Sequence, residues 1–142
     1  MLLISLGMLL AVSLASVPDT VKQILTPQSR TAQWIWQVQD GPQNTWLSFR
    51  KRIVIEKLSG KIMARIAASS RYWLYINGTP VIRDGGQKRG PSRKDTYVDE
   101  VDLTRFFSEG ENTIAVMVWD WGKSCFSHVD SGKGGLFFDA DL

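Results

Sequence analysis

The sequence predicts an all-β protein, an antiparallel β-sandwich of jelly-roll type with one short helical turn, and three observations carry that prediction. About eight short runs rich in β-branched and aromatic residues follow one another along the chain. Turn signals recur about every 8 to 12 residues between them. Only one stretch, around Arg105-Phe106-Phe107, reads as a helical turn. At 142 residues, 44% apolar and 22% charged, the chain has the size and composition of one globular domain with a core.

Residues 1–16 (MLLISLGMLLAVSLAS) carry no charge and end in the small-residue pattern Ser13-Leu14-Ala15, so they read as a secretory signal peptide cleaved after Ala15. No Lys or Arg precedes Lys22, so the basic start of such a signal is missing. An uncleaved anchor is the alternative, but the run sits at the short limit for crossing a bilayer. Residues 17–32 hold Pro18 and Pro27 without sustained periodicity and read as a linker. The β-sandwich then occupies residues 33–142. Its first short strand is Trp34-Ile35-Trp36, a turn follows at Asp40-Gly41-Pro42, and Thr45 to Ile55 alternates as a long strand. Trp46 does not share the parity of Phe49 and Ile53, which suggests a bulge or a strand that changes environment along its length.

Lys61 to Ala68, Arg71 to Ile76 and Thr79 to Ile82 follow as three strands of a meander, the first two separated by Ser69-Ser70. Asn77-Gly78 between apolar runs signals a type I′ hairpin turn, which needs positive φ at both central residues. Alternation turns Arg71, Trp73 and Tyr75 one way and Tyr72, Leu74 and Ile76 the other, and one set must be core. Arg83 to Thr96, with three glycines, one proline and five basic residues, reads as a long loop, functional or merely solvated. Tyr97 to Leu103 resumes a strand, and Asp102 or Thr104 caps the helical turn that ends at Gly110. Asn112 to Trp119 is apolar on both faces, as a central strand is. Asp120 to Gly135 is a second long loop, and Leu136 to Ala140 is the closing strand. The six tryptophans fit a sandwich core.

Enzyme readings lack parts. His128 is the only histidine and no G-x-S-x-G elbow occurs, so nucleophilic catalysis has little to work with. Cys125 and His128 have a ligand-like spacing, but two ligands do not make a zinc site. Cys125 is the only cysteine, which rules out a disulfide within the domain and reads as a buried thiol. Asp95, Asp99, Glu100, Asp102 and Asp120 are glycosidase carboxylates by type alone. The formal net charge of +3 is too small to argue for a nucleic-acid partner.

Carbohydrate binding fits better, because a sugar site wants an aromatic platform beside charged and amide side chains. Trp73 and Tyr75 on one strand, Trp119 and Trp121 at the end of another, Arg83, Asp84, Lys88 and Arg89 in the basic loop, and His128 supply those types. Trp73 and Trp119 read more readily as core, because tryptophan is highly buried on average, whereas Trp121, followed by Gly122, is the most credible exposed platform. Asn77-Gly78-Thr79 also matches an N-glycosylation acceptor, although turn chemistry already explains Asn-Gly and Pro80 follows.

Trp34-Ile35-Trp36, Asn44-Thr45-Trp46 with Phe49-Arg50-Lys51, the block ARIAASSRYWLYING, Lys88-Arg89-Gly90-Pro91 and Asp95-Thr96-Tyr97 together resemble the N-terminal, galactose-binding-like β-sandwich domain of bacterial α-L-rhamnosidases. Asp99-Glu100-Val101-Asp102-Leu103, Gly110-Glu111-Asn112-Thr113-Ile114-Ala115, Phe126-Ser127-His128 and Ser131-Gly132-Lys133 extend the resemblance over residues 33–142. It implies a non-catalytic, accessory or carbohydrate-recognition domain of a secreted or periplasmic glycoside hydrolase acting on terminal L-rhamnose. The catalytic carboxylates of such enzymes lie in a helical barrel further along the polypeptide, so no catalytic residue carries over. The partners it implies are a rhamnose-containing glycan or the downstream catalytic domain of the same polypeptide, with no stable membrane insertion after signal cleavage. A purely structural domain and a free-standing lectin-like module are the alternatives. No cofactor is required. Some members of the family bind calcium, for which Asp84 and Asp120 are oxygen donors by type only.

Overall fold

The computed structural model describes residues 32–37, 41–86, 96–126 and 128–142. The expected signal peptide, nearly all of the linker, and Lys88 and Arg89 of the basic loop lie outside the described residues. Seven strands are described: β1 (Thr45–Ile55), β2 (Met63–Ala68), β3 (Arg71–Ile76), β4 (Thr79–Gly86), β5 (Asp99–Asp102), β6 (Gly110–Asp120) and β7 (Leu136–Ala140). They form two antiparallel sheets, of order β1-β6-β3-β4 and β5-β2-β7. The fold is the expected all-β sandwich, with one 3-10 turn, Thr104–Phe106, among the described residues. Asp102 precedes that turn and accepts a hydrogen bond from the Thr104 N–H at 3.0 Å.

Each strand's inner parity supplies the core. Ala64, Ile66 and Ala68 of β2 meet Tyr72, Leu74 and Ile76 of β3 and Ile114, Val116 and Val118 of β6, with Leu103, Phe107 and Leu136 filling in. Burying one such Leu or Ile side chain is worth about 1.5–3 kcal/mol. Tyr72, fully buried, donates its hydroxyl to Asp99 Oδ2 at 2.8 Å, and the Gly86 N–H donates to the same oxygen at 3.2 Å. Because β3 and β5 belong to different sheets, this clasp ties the two layers together. Burial, and then the Asp99 bond and charge, push the Tyr72 hydroxyl pKa far above its ordinary value.

The hairpin turn forms as its chemistry requires, with φ of 51° at Asn77 and 78° at Gly78. The meander does not. β2 and β3 lie in different sheets, so Ser69-Ser70 is the corner where the chain crosses between layers. Both serines pin that corner: Ser69 Oγ accepts from the Gly135 N–H at 3.2 Å, and Ser70 Oγ accepts from the Trp121 N–H at 2.9 Å. The expected bulge in β1 is also absent, since Thr45 to Ile55 pairs with β6 in unbroken register. Trp46 differs in parity from Phe49 because it faces outward. The register shifts lie between β3 and β4 instead.

Two further boundaries differ. β4 runs on to Gly86, so Arg83 and Asp84 belong to a strand, and Trp34-Ile35-Trp36 contributes only an isolated bridge from Ile35 to Leu136. The indoles of Trp34 and Trp36 lie over Gly135 and Gly134, where a Cβ would come within 2.7 and 2.1 Å of the rings. None of the six tryptophans belongs to the buried core. The buried core is aliphatic with Tyr72, Phe107 and Phe137, and Trp36 packs against it from the side while Trp34 and Trp46 are exposed.

Candidate functional site

The outer face of the four-stranded sheet gathers Trp46, Trp73 and Trp119. β1 presents Trp46, Ser48, Arg50 and Arg52 outward while Phe49, Ile53 and Ile55 pack against the core. Register places Trp46 opposite Trp119, Ser48 opposite Met117 and Arg50 opposite Ala115. On the other side of β6, Arg71 lies opposite Trp119, Trp73 opposite Met117 and Tyr75 opposite Ala115. Alternation along three neighbouring strands therefore collects these residues on one surface.

The rings touch. Trp46 stacks on Trp73 with centroids 5.4 Å apart and on Trp119 at 5.9 Å, and Trp119 meets Trp121 at 6.1 Å in a tilted pair. Trp46 keeps 51% of its surface exposed, and each such aromatic contact adds about 0.5–1.5 kcal/mol beyond area burial. The Trp119 indole N–H donates to Asn44 Oδ1 at 3.3 Å, which fixes the ring at the strand end. Lys123 Nζ stands 5.1 Å from the Trp121 ring centroid. Arg71 forms an ion pair with Asp84, whose φ of 64° turns the β4 backbone into the left-handed region. A row of indoles bordered by charged and amide groups is suited to stack on the C–H face of a sugar and to hydrogen-bond its hydroxyls.

Of the residues singled out from the sequence, Trp73, Tyr75, Trp119 and Trp121 lie on or beside this face, half-buried, and Arg83 and Asp84 lie exposed on β4. His128 is elsewhere. It is 5% exposed, and its backbone pairs with that of Cys125 across a tight turn. Cys125 itself is half-buried rather than fully covered. Trp46 is the residue that sequence reasoning missed, and its parity, opposite to that of Phe49, was the available signal.

Next to Trp121 in the chain the fold buries polar groups. Asp120 is buried, and burial raises its carboxyl pKa above the ordinary range, with Asp130 adding to the effect. The Ser69 hydroxyl and the Gly122 N–H donate to it and oppose that rise, as does the nearby His128. Asp120 Oδ1 and His128 Nε2 have no hydrogen-bond partner. Calcium would need several oxygen ligands converging on one point. Among the described residues no three His, Cys, Asp or Glu side chains cluster in that way, and Asp84 is committed to Arg71. The Asn77 amide is likewise committed, to Phe106 O, Asn112 Oδ1 and the Thr113 N–H, which leaves the turn's glycosylation sequence tied into the structure.

No protein-family profile matches the chain, and no curated protein matches it. Solved structures do. A GH78 family rhamnosidase of Bacillus sp. GL1 is 35% identical, with a TM-score of 0.66 over 81% of this chain. The α-L-rhamnosidase of Streptomyces avermitilis, solved with L-rhamnose, is 19% identical, with a TM-score of 0.54 over 75% of this chain and 10% of its own. A Pleurotus ostreatus lectin, solved with GalNAc, is 16% identical, with a TM-score of 0.50 over 77% of this chain and 29% of its own. The two more distant likenesses show the shared fold. The chain spans 12% of the length of the Bacillus enzyme, so it is similar to a domain-sized part of a GH78 rhamnosidase. Among the described residues no helix is long and apolar enough to cross a membrane.

Proposed function

We propose that this domain is the non-catalytic, glycan-holding module of a secreted α-L-rhamnosidase-like hydrolase, and that the Trp46, Trp73 and Trp119 face is where the glycan lies. The carrying observation is the stack itself: three indoles on the outside of a sheet, with Trp46 51% exposed although the fold has an aliphatic core to spare. The mechanism is positioning. The indoles hold a rhamnose-bearing chain by its apolar ring faces, and Arg71, Asp84 and Asn44 at the border orient its hydroxyls. Similarity to part of a GH78 rhamnosidase supports the substrate class, and the charge-free, apolar residues 1–16 support export.

A titration of the 142-residue chain with a neutral rhamnosylated oligosaccharide tests this reading. Saturable binding that weakens at least about tenfold in Trp46→Ala/Trp73→Ala, a loss of about 1.4 kcal/mol, is the expected result. Binding that is absent, or indifferent to both substitutions, contradicts it. A second reading, a surface that packs against the catalytic domain of a longer polypeptide, draws on Phe126, which is 86% exposed on its turn. Large exposed apolar side chains of that kind mark interaction surfaces when they cluster.

A further inference from the structure

The outer face changes character along β1. After Trp46 and Ser48 come Arg50 and Arg52, both exposed, with Val54 beyond them. Alternate residues of a strand lie about 6.8 Å apart, so the two guanidinium side chains leave the sheet about 14 and 20 Å beyond the Trp46 position. Between Arg50 and Tyr75 the register places Ala115, and opposite Arg52 it places Thr113. Small side chains flanked by large ones leave a shallow trough that continues the line of the tryptophans.

The ion pairs among the described residues belong to Arg65, with Glu100 and Asp139, and to Arg71, with Asp84. Glu111, opposite Val54 at the far end, pairs with neither Arg50 nor Arg52. Two uncommitted guanidinium forks in line with an aromatic platform complement a planar carboxylate presented by the same ligand that stacks on the rings.

We infer that this face takes an acidic oligosaccharide, one whose sugar rings stack on Trp46 and Trp73 while a uronic-acid carboxylate further along the chain pairs with Arg50 and Arg52. The inference rests on the reading that the tryptophan face holds glycan, and adds to it the ligand's charge and direction. The neutral portion lies toward Trp121, and the acidic portion lies toward the Gly110 end of β6.

Titrating the 142-residue chain with oligogalacturonides and with the same oligomers fully methyl-esterified separates the two claims. The acid form is expected to bind about fivefold more tightly than its ester, as two exposed charge-assisted pairs allow. Arg50→Gln/Arg52→Gln is expected to abolish that preference. Equal binding of acid and ester overturns the inference, as does a preference that survives in Arg50→Gln/Arg52→Gln. A preference lost to the same extent in Lys61→Gln/Lys133→Gln, which removes equal charge away from this face, also overturns it by showing diffuse attraction. Failure of both oligomers overturns it too, while the neutral rhamnosylated titration still decides the glycan reading by itself.

Discussion

Asp120 is a carboxylate placed where water hardly reaches. Burial raises its pKa, more than the Ser69 and Gly122 hydrogen bonds and His128 lower it. The folded protein therefore keeps this proton to a higher pH than the unfolded chain does. The stability contributed by the protonated form is present at low pH and is lost as pH rises from the unfolded value of about 3.9 through the raised folded one. Asp120→Asn removes the titration. In thermal unfolding from about pH 4 to pH 7, the Tm of Asp120→Asn minus that of the wild type is expected to grow with pH, and a flat or falling difference contradicts this account. Single residues were unevenly legible in the sequence. Alternation separated Tyr72, Leu74 and Ile76 from Arg71, Trp73 and Tyr75, because one strand's parity is a local property, but which set is buried had to come from the structure. Trp46 and His128 were not legible, because burial depends on which strand or loop arrives from elsewhere in the chain.

Among the elements, the tightest joint is an amide clamp. Asn112 on β6 is 1% exposed and fully satisfied: its Oδ1 accepts from Asn77 Nδ2 at 2.8 Å and the Ser108 N–H at 3.0 Å, and its Nδ2 donates to Ser108 O and Gly110 O. One side chain thereby joins the β3–β4 turn, the segment after the 3-10 turn and the start of β6. Asn112→Ala leaves several of these groups without partners and is expected to cost about 2–4 kcal/mol in chemical denaturation. Ser48→Ala on the open face is expected to cost under about 0.5 kcal/mol, and similar losses for the two contradict the clamp. The turn beside this clamp was readable because Asn-Gly dictates its own φ values. The crossing at Ser69-Ser70 was not, since nothing local distinguishes a hairpin break from a corner between sheets. The bulge expected in β1 arose from assuming that every large apolar residue faces the core.

At the scale of the molecule, the fold follows from an ordered series of motifs, and its likeness to part of a GH78 rhamnosidase agrees with that series. Those motifs carry the sandwich, while the surface had to be assembled from three strands that are distant in sequence. The tryptophan face exists because β1, β6 and β3 are neighbours in one sheet, and no periodicity in any one of them reports that pairing. The net charge of +3 says little by comparison, because what matters is that Arg50 and Arg52 stand on the same side as the indoles. The most direct test follows the six indole N–H resonances of the isotopically labelled chain during addition of a neutral rhamnosylated oligosaccharide. The account predicts that the Trp46, Trp73 and Trp119 signals shift together and saturably, while those of Trp34 and Trp36, which lie over Gly135 and Gly134 before β7, stay in place. Shifts confined to Trp34 and Trp36, or none at saturating sugar, would contradict it.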